Sequence, residues 1–368
     1  MISQSDIGQP TLRFEVESEK IINYLYLMIC NERRNNLIKE WNLLRAVACL
    51  SIVFLHSTTR IGAVVGMPEL NSSYQFFRIL LCYATPTFII ISILILVYKY
   101  PDGLRKGFWS KRFKYIFVPF LVFGVIDAFV SWDLYSNVVL EEKLYKNLIF
   151  GDYEGYFILI IFQFYFLFYL TTRFQVSNLI FLPLSIVIMY VYLYWLDLNT
   201  PWINERLYFL KLPFLAWVAY FAIAYYIGKN YEVIANQLVK YKWWTVALLF
   251  SAILLVWLSF EHGNNWPSSR ELHILPLSIA VTAFILAFGY YIPNNGIINL
   301  ISRYSLGIYL LHWQVQRYLA PYVVDLFNTL PLRVAMLFII SLCISIIIIK
   351  LISLLPFGEY IIGKVRKI

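Results

Sequence analysis

Apolar stretches of about 18 residues or more recur along almost the whole chain and are separated by short polar connectors. Stretches of this length cross a bilayer as α-helices, because a helix satisfies its own backbone hydrogen bonds inside the membrane. We therefore predict an all-α polytopic membrane protein with about ten transmembrane helices. The spans lie near residues 41–58, 75–98, 115–132, 155–171, 178–196, 209–228, 243–260, 273–291, 304–322 and 334–355.

The charge of the connectors alternates along the chain. Lys- and Arg-rich segments follow spans two and six and end the sequence, whereas most loop acids lie between spans three and four, five and six, and seven and eight. Basic residues accumulate on the cytoplasmic side of membrane proteins. All ten spans then agree on one orientation in the plasma membrane, with both termini in the cytoplasm.

The first 40 residues form a polar tail that contains one short apolar patch, "IINYLYLMIC". This patch is too short to span, and the polar segment "NERRNNLIKE" follows it, so we predict an interfacial helix on the cytoplasmic face. The tail carries acids and has no basic region followed at once by an apolar core, so no cleavable signal peptide is indicated. The predicted domains are a cytoplasmic tail (1–40), a membrane domain (41–355) and a cytoplasmic C-terminal tail (356–368).

Composition agrees with this class: 61% of the 368 residues are hydrophobic and 14% are charged, whereas soluble domains are about a quarter charged. The excess of 30 Lys and Arg over 21 Asp and Glu lies beside the spans, so it indicates membrane topology and not nucleic-acid binding. The four cysteines, Cys30, Cys49, Cys82 and Cys343, are scattered. They predict neither a metal site nor a disulfide framework.

Span one contains an arginine and a histidine within an apolar run, "LLRAVACLSIVFLHSTTR". Arg45 and His56 are eleven positions apart, which is three helical turns plus about 20°, so they share one face about 16 Å apart along the axis. The inner arginine would bind a carbonyl or anionic group, and the outer histidine would transfer a proton. Alternatively, both side chains only mark the two interfaces of the span.

Basic residues cluster at the cytoplasmic end of span three, in "WSKRFKYIFVPF". Lys111, Arg112 and Lys114 would there reach the phosphates of a ligand. Positive-inside anchoring alone also predicts such a cluster. Pro119 is expected to loosen the helix one turn further in.

Two polar residues fall in the outer halves of their spans, at depths similar to that of His56. Asp127 lies in span three, and His312 lies in "YSLGIYLLHW" of span nine. We predict that they help form an outer cavity that receives an acceptor, because an intramembrane aspartate must pair or line a polar cavity. The alternatives are an interfacial aspartate beside Trp132 and a histidine satisfied within the core.

Taken together, these segments resemble the acyltransferase-3 family of integral membrane O-acyltransferases. The resemblance runs from about residue 38 to 355 and rests on six segments in order: "LLRAVACLSIVFLH", "YATPTFIIIS", "KRFKYIFVP", "GYFILIIFQFYFLF", "WVAYFAIAYYIGKN" and "YSLGIYLLHW". Within the family the chain is most similar to proteins of intercellular-adhesion polysaccharide loci. Those proteins are described either as exporters of poly-N-acetylglucosamine or as O-acyl (succinyl) transferases that act on it.

The resemblance implies catalytic roles for His56 and its paired Arg45. Arg112 matches the first of two family arginines that bind acyl-CoA, whereas the position of the second is occupied by Tyr115, with Lys114 beside it. Two smaller departures are Asn42, where many members have an acid, and "SIL" in place of the usual Ser-Gly. Neither departure removes a proposed catalytic group.

The implied activity is acyl transfer to a hydroxyl group of an extracytoplasmic polysaccharide or glycolipid. Acyl-CoA would be the co-substrate, with no bound cofactor and no metal, and the lipid bilayer and a glycan synthase complex would be partners. Two other functions stay open. One is a polysaccharide exporter without acyl transfer, and the other is a non-catalytic scaffold within a glycan-synthesis complex.

Overall fold

Apolar helices build the fold, as the hydrophobic pattern predicts. The computed structural model describes residues 39–198 and 212–365, and the predicted interfacial helix of the N-terminal tail lies outside these ranges. No β-strand occurs in the two described ranges. The first helices are α1 (Lys39–Val65), α2 (Ser73–Leu81), α3 (Ala84–Lys99) and the five-residue α4 (Phe108–Arg112). The longer helices that follow are α5 (Val118–Leu134), α6 (Leu140–Phe150), α7 (Phe157–Arg173), α8 (Asn178–Leu198), α9 (Val218–Lys229), α10 (Tyr231–Lys240), α11 (Lys242–Glu261), α12 (Ile274–Gly289), α13 (Gly296–Leu326) and α14 (Leu330–Ser353).

Seven helical segments of the described chain are long and apolar enough to cross a membrane. They are Lys39–Val65, Ser73–Lys99, Phe108–Leu134, Leu140–Arg173, Asn178–Leu196, Lys242–Glu261 and Leu330–Ser353. Two shorter apolar helices, Phe214–Lys229 and Ile274–Gly289, correspond to predicted spans six and eight. With α13 as span nine, each predicted span falls on a helix, and the all-α polytopic class is confirmed.

Helix α13 differs from the prediction because it is 31 residues long and unusually polar. Asn295 precedes its first residue and caps the helix, because its side-chain oxygen accepts from the backbone nitrogens of Ile297 and Ile298. Polar side chains along it are buried, including His312, Gln314, Gln316 and Arg317. Gln316 and Arg317 bond to side chains of α1 and α5, so α13 lies inside the bundle.

Helices α1 and α13 run side by side in the same direction. Arg45 contacts Ser302 and Cys49 contacts the carbonyl of Ser305, at nearly constant sequence offsets of 257 and 256. Further along, the Gln316 side chain donates to the Ser57 hydroxyl over 2.9 Å. A parallel pair is what the predicted topology requires of spans one and nine. The pair sets the residues around His56 in register with those around His312.

Two connectors fold into helices that the apolar pattern does not predict. Helix α6 lies between spans three and four, where Asn147 donates to the Gly124 carbonyl of α5 over 2.8 Å. Helix α10 follows span six. Span three itself begins with a π-helical turn, Phe113–Phe117, just before Pro119, which cannot donate a backbone hydrogen bond. The irregular turn therefore lies one turn before Pro119, the residue at which the sequence predicts a loosened helix.

The predicted C-terminal tail contains a short helix, α15 (Gly358–Ile362), that packs on the π-helical turn. The rings of Tyr115 and Tyr360 stack with centroids 5.7 Å apart and planes 5° apart. The Lys364 ammonium lies 5.4 Å from the Tyr115 ring centroid, within cation–π range. A positive charge therefore lies against Tyr115, at the position where the resemblance implies a second arginine.

Candidate active site

The site is centred on His56, in the C-terminal half of α1. Its Nε2 lies 3.2 Å from Oε2 of Glu154, and both side chains are about one-fifth exposed, at 18% and 22%. Glu154 begins a 3₁₀ turn, Glu154–Tyr156, that immediately precedes α7. Because a carboxylate can only accept, this geometry places the hydrogen of a neutral His56 on Nε2 and leaves a lone pair on Nδ1.

Helix α13 supplies the wall behind the imidazole. The His312 ring lies 5.2 Å from the His56 ring between centroids, and the Trp313 ring lies 4.9 Å away at 73°. His312 is fully buried, and its Nδ1 donates to the Ile308 carbonyl oxygen over 2.9 Å. Its Nε2 has no hydrogen-bond partner within the described residues. His312 therefore packs against His56 and does not open to solvent.

His56 and Glu154 line a cavity of about 660 Å³, the outer cavity, on the side that the predicted topology places outside the cell. The aromatic side chains on its wall include Tyr190 and Tyr194 of α8 and Trp266 of the connector between α11 and α12. The two tyrosine rings are parallel within 2°, with centroids 6.3 Å apart. Arg270 and Glu271 also line this cavity and supply charged groups to it. Exposed aromatic rings together with polar side chains suit a ligand that has both apolar faces and hydroxyl groups.

Arg45 and Arg112 line a second cavity of about 190 Å³, the inner cavity, towards the side predicted to be cytoplasmic. The Arg45 side chain donates to the Ser302 hydroxyl of α13 over 3.4 Å. The Arg112 guanidinium lies 5.0 Å from the Phe108 ring centroid and 5.5 Å from that of Tyr165. Two residues that are 67 positions apart in the sequence thus bring their positive charges to one cavity.

Tyr309 lines both cavities and lies between them. Its ring is 5.3 Å from that of Phe157 and 6.1 Å from that of Phe88, and both phenylalanines line the inner cavity. The Tyr309 hydroxyl donates to the Glu154 backbone carbonyl. An aromatic partition therefore separates the arginines from the histidine, and it is bonded to the turn that carries the carboxylate.

The remaining predicted residues do not line these cavities. Asp127 is 2% exposed, and its Oδ1 accepts from Arg317 over 2.8 Å while its Oδ2 accepts from Asn147 over 2.9 Å. This aspartate pairs in the bundle interior, away from the wall of the outer cavity, because a buried carboxylate needs charged and hydrogen-bonded partners. Lys111 and Lys114 are exposed and lie outside the inner cavity, unlike Arg112.

Sequence reasoning misses Glu154 and Tyr309. Glu154 immediately precedes the quoted segment "GYFILIIFQFYFLF", and it is an acid in a connector predicted to lie on the same side as His56. Those two signals point to this residue once a partner for the imidazole is sought. Among the described residues, no group of three or more His, Cys, Asp and Glu side chains could hold a metal ion.

Comparison with known proteins identifies the family of the chain. The sequence model of the family described as "Acyltransferase domain" matches residues 38–350. The chain is 34% identical to the "Putative membrane-bound acyltransferase YfiQ" of Bacillus subtilis (strain 168), a match that covers 75% of this chain and 80% of that protein. No solved structure matches the chain significantly.

Two staphylococcal proteins are also similar to the chain. Each has the name "Probable poly-beta-1,6-N-acetyl-D-glucosamine export protein". The Staphylococcus aureus (strain MRSA252) protein is 29% identical over 82% of this chain and 90% of its own length. The Staphylococcus epidermidis protein is 30% identical over 82% of this chain and 88% of its own length.

Proposed function

The chain belongs to the acyltransferase-3 family of membrane proteins, and on that premise we propose that it transfers an acyl group of the acetyl or succinyl class from acyl-CoA to a hydroxyl group of an extracytoplasmic polysaccharide. The observation that carries the proposal is the His56–Glu154 pair on the wall of a cavity that is large and aromatic enough for a sugar. The donor comes from the cytoplasm and the acceptor from the other side of the membrane.

His56 acts as the general base in this proposal. Its Nδ1 accepts the proton of the acceptor hydroxyl while the hydroxyl oxygen attacks the thioester carbonyl carbon. A carbon–oxygen bond forms, the carbon–sulfur bond breaks, and the proton passes from the imidazolium to the leaving thiolate. An alternative route forms a covalent acyl-histidine on the same nitrogen before the hydroxyl attacks.

Glu154 orients the imidazole and stabilises its charged form. Its carboxylate accepts from Nε2 over 3.2 Å, so the ring keeps one orientation and one tautomer. When the ring gains a second proton, the neighbouring negative charge lowers the free energy of that state. This support is the role that a carboxylate has in other histidine-based transfer sites.

The donor's acyl-pantetheine arm occupies the inner cavity and passes Tyr309 to reach His56. Arg45 and Arg112 line that cavity, so their guanidinium groups are available to its carbonyl and amide oxygens. The thioester carbonyl then lies on the far side of the aromatic partition. The two arginines therefore act in donor binding, about 16 Å from the reacting atoms in the case of Arg45.

The acceptor lies in the outer cavity. The faces of Tyr190, Tyr194 and Trp266 offer apolar surface for sugar rings, and Arg270 offers a donor to sugar oxygens. An assay with purified protein in vesicles tests the whole proposal. Acyl-CoA supplied at the cytoplasmic face and a poly-N-acetylglucosamine oligosaccharide at the other face should give an acylated sugar by mass spectrometry. The change His262→Ala, in an exposed loop, is the matched control for a change at His56.

A polysaccharide exporter is the second candidate, and the names of the staphylococcal relatives favour it. An exporter needs a continuous polar path wide enough for a chain of sugar rings, whereas the donor needs room only for one narrow arm, and the aromatic partition at Tyr309 argues against such a wide path in the described residues. Polymer translocation is measured separately, in the same vesicles with no acyl donor. Translocation without acylation would replace the transferase proposal with the exporter.

A further inference from the structure

A third cavity of about 720 Å³ lies where the connector between α3 and α4 meets the C-terminal end of α7. Both segments are on the side predicted to be cytoplasmic. Phe108 lines this pocket, and its ring lies 5.0 Å from the Arg112 guanidinium and 5.3 Å from the Tyr165 ring. Because Arg112 and Tyr165 line the inner cavity, the Phe108 side chain lies between the two spaces.

The pocket is positively charged. Arg105, Lys106 and Arg173 line it, against a single acid, Asp102. None of the three basic side chains has an ion pair with a carboxylate of the described residues. Anchoring to lipid headgroups explains basic residues on this side of the membrane. It does not explain why three of them converge on one concave space beside the inner cavity.

The shape and the neutral groups of the pocket also suit a nucleotide. Trp109 and Tyr169 line it and are 43% and 46% exposed, so their faces are available to a planar base. The connector turns through Gly103 and Gly107 at φ 106° and 77°, a conformation that side chains other than glycine rarely adopt. These turns bring Arg105 and Lys106 over the end of α7.

We propose that this pocket binds the 3′-phosphoadenosine diphosphate end of the CoA donor, an inference that rests on the proposed transfer function. Arg105, Lys106 and Arg173 pair with the phosphates, and Trp109 or Tyr169 stacks on adenine. The pantetheine arm then enters the inner cavity past Phe108. The phosphates are thus bound outside the Lys111–Arg112–Lys114 cluster, and Arg112 contacts the arm.

The test compares two donors with the full-length protein in inverted vesicles. One donor is acyl-CoA, and the other is the same acyl group on pantetheine, which lacks the nucleotide. The triple variant R105Q/K106Q/R173Q should raise the KM for acyl-CoA at least about tenfold and leave the KM for acyl-pantetheine and both kcat values within about twofold. Higher ionic strength should raise the wild-type KM for acyl-CoA and affect the variant less. Equal effects on both donors, or no effect on either, would overturn the proposal.

Two controls separate a binding defect from misfolding or inversion. K229Q/K240Q/K242Q removes three positive charges from the same predicted side, away from the pocket, and should leave the KM for acyl-CoA unchanged. R105K/R173K keeps the charge and should lose less affinity than the triple variant. If no acyl transfer is found, calorimetric binding of CoA itself tests whether the pocket binds the nucleotide. At least about tenfold weaker binding in the triple variant supports the pocket, and wild-type protein that does not bind CoA refutes it.

Discussion

Replacing Glu154 by glutamine removes one negative charge from beside His56 and keeps the size of the side chain. The two charges of the protonated pair would be 3.2 Å apart, and their attraction is about 5 kcal/mol at an effective dielectric constant of about 20. Much of this attraction offsets the loss of hydration, so the net contribution of such a charged hydrogen bond is about 1.5–3 kcal/mol. Since the imidazolium forms during proton transfer, this contribution belongs to the transition state.

Glu154→Gln should therefore lower kcat about tenfold to 150-fold, since about 1.4 kcal/mol corresponds to each factor of ten. The KM for the donor should change little, because the arginines of the inner cavity are untouched. The assay is initial-rate acyl transfer with purified protein at saturating donor. Glu141→Gln, at an exposed position in the neighbouring helix α6, is the matched control and should keep the wild-type rate. A folded Glu154→Gln protein with the wild-type kcat would refute the assigned role of the carboxylate.

Three further predictions concern topology, stability and the donor. In a cysteine-free background, Lys106→Cys should be labelled only from the inside and His262→Cys only from the outside, and the reverse would refute the orientation. Asp127→Asn should destabilise the protein by about 3–5 kcal/mol, seen as a lower thermal midpoint, because it leaves a buried guanidinium unpaired; an unchanged midpoint would contradict this. Arg112→Gln should raise the donor KM about tenfold, while Lys111→Gln should change it less than about twofold. Equal effects of the two changes would support the sequence prediction that Lys111, Arg112 and Lys114 bind the donor together.

Seven of the ten spans could be predicted directly, because each of them carries its own signal, an apolar run long enough for the bilayer. The helices α6 and α10 could not, since they are short and mixed in polarity and depend on packing against longer helices. The pairing of Asp127 is a similar case. Its partner Arg317 is 190 positions away, and no local pattern shows that two distant spans bring these residues together.

Only the part of the candidate site that lies within one helix could be predicted from the sequence. The shared face of Arg45 and His56 follows from helical periodicity alone. The structure adds that each residue lines a different cavity, with Tyr309 between them. Glu154 lies in a connector, where no periodicity applies, and its contact with His56 depends on where the fold places the 3₁₀ turn that precedes α7. Sequence spacing therefore finds the histidine but not the carboxylate that completes it.

The most direct test of the proposed chemistry is the rate of acyl transfer by purified His56→Ala and His56→Gln proteins, measured beside the wild type. Loss of the base should cost about 10²–10⁴-fold in kcat for both variants, because glutamine can hydrogen-bond but cannot accept the proton. Both proteins should still insert and bind CoA, since the arginines of the inner cavity and the basic residues of the third cavity are unchanged. Acyl transfer at a near-normal rate by either variant would contradict the account and leave His56 without a catalytic role.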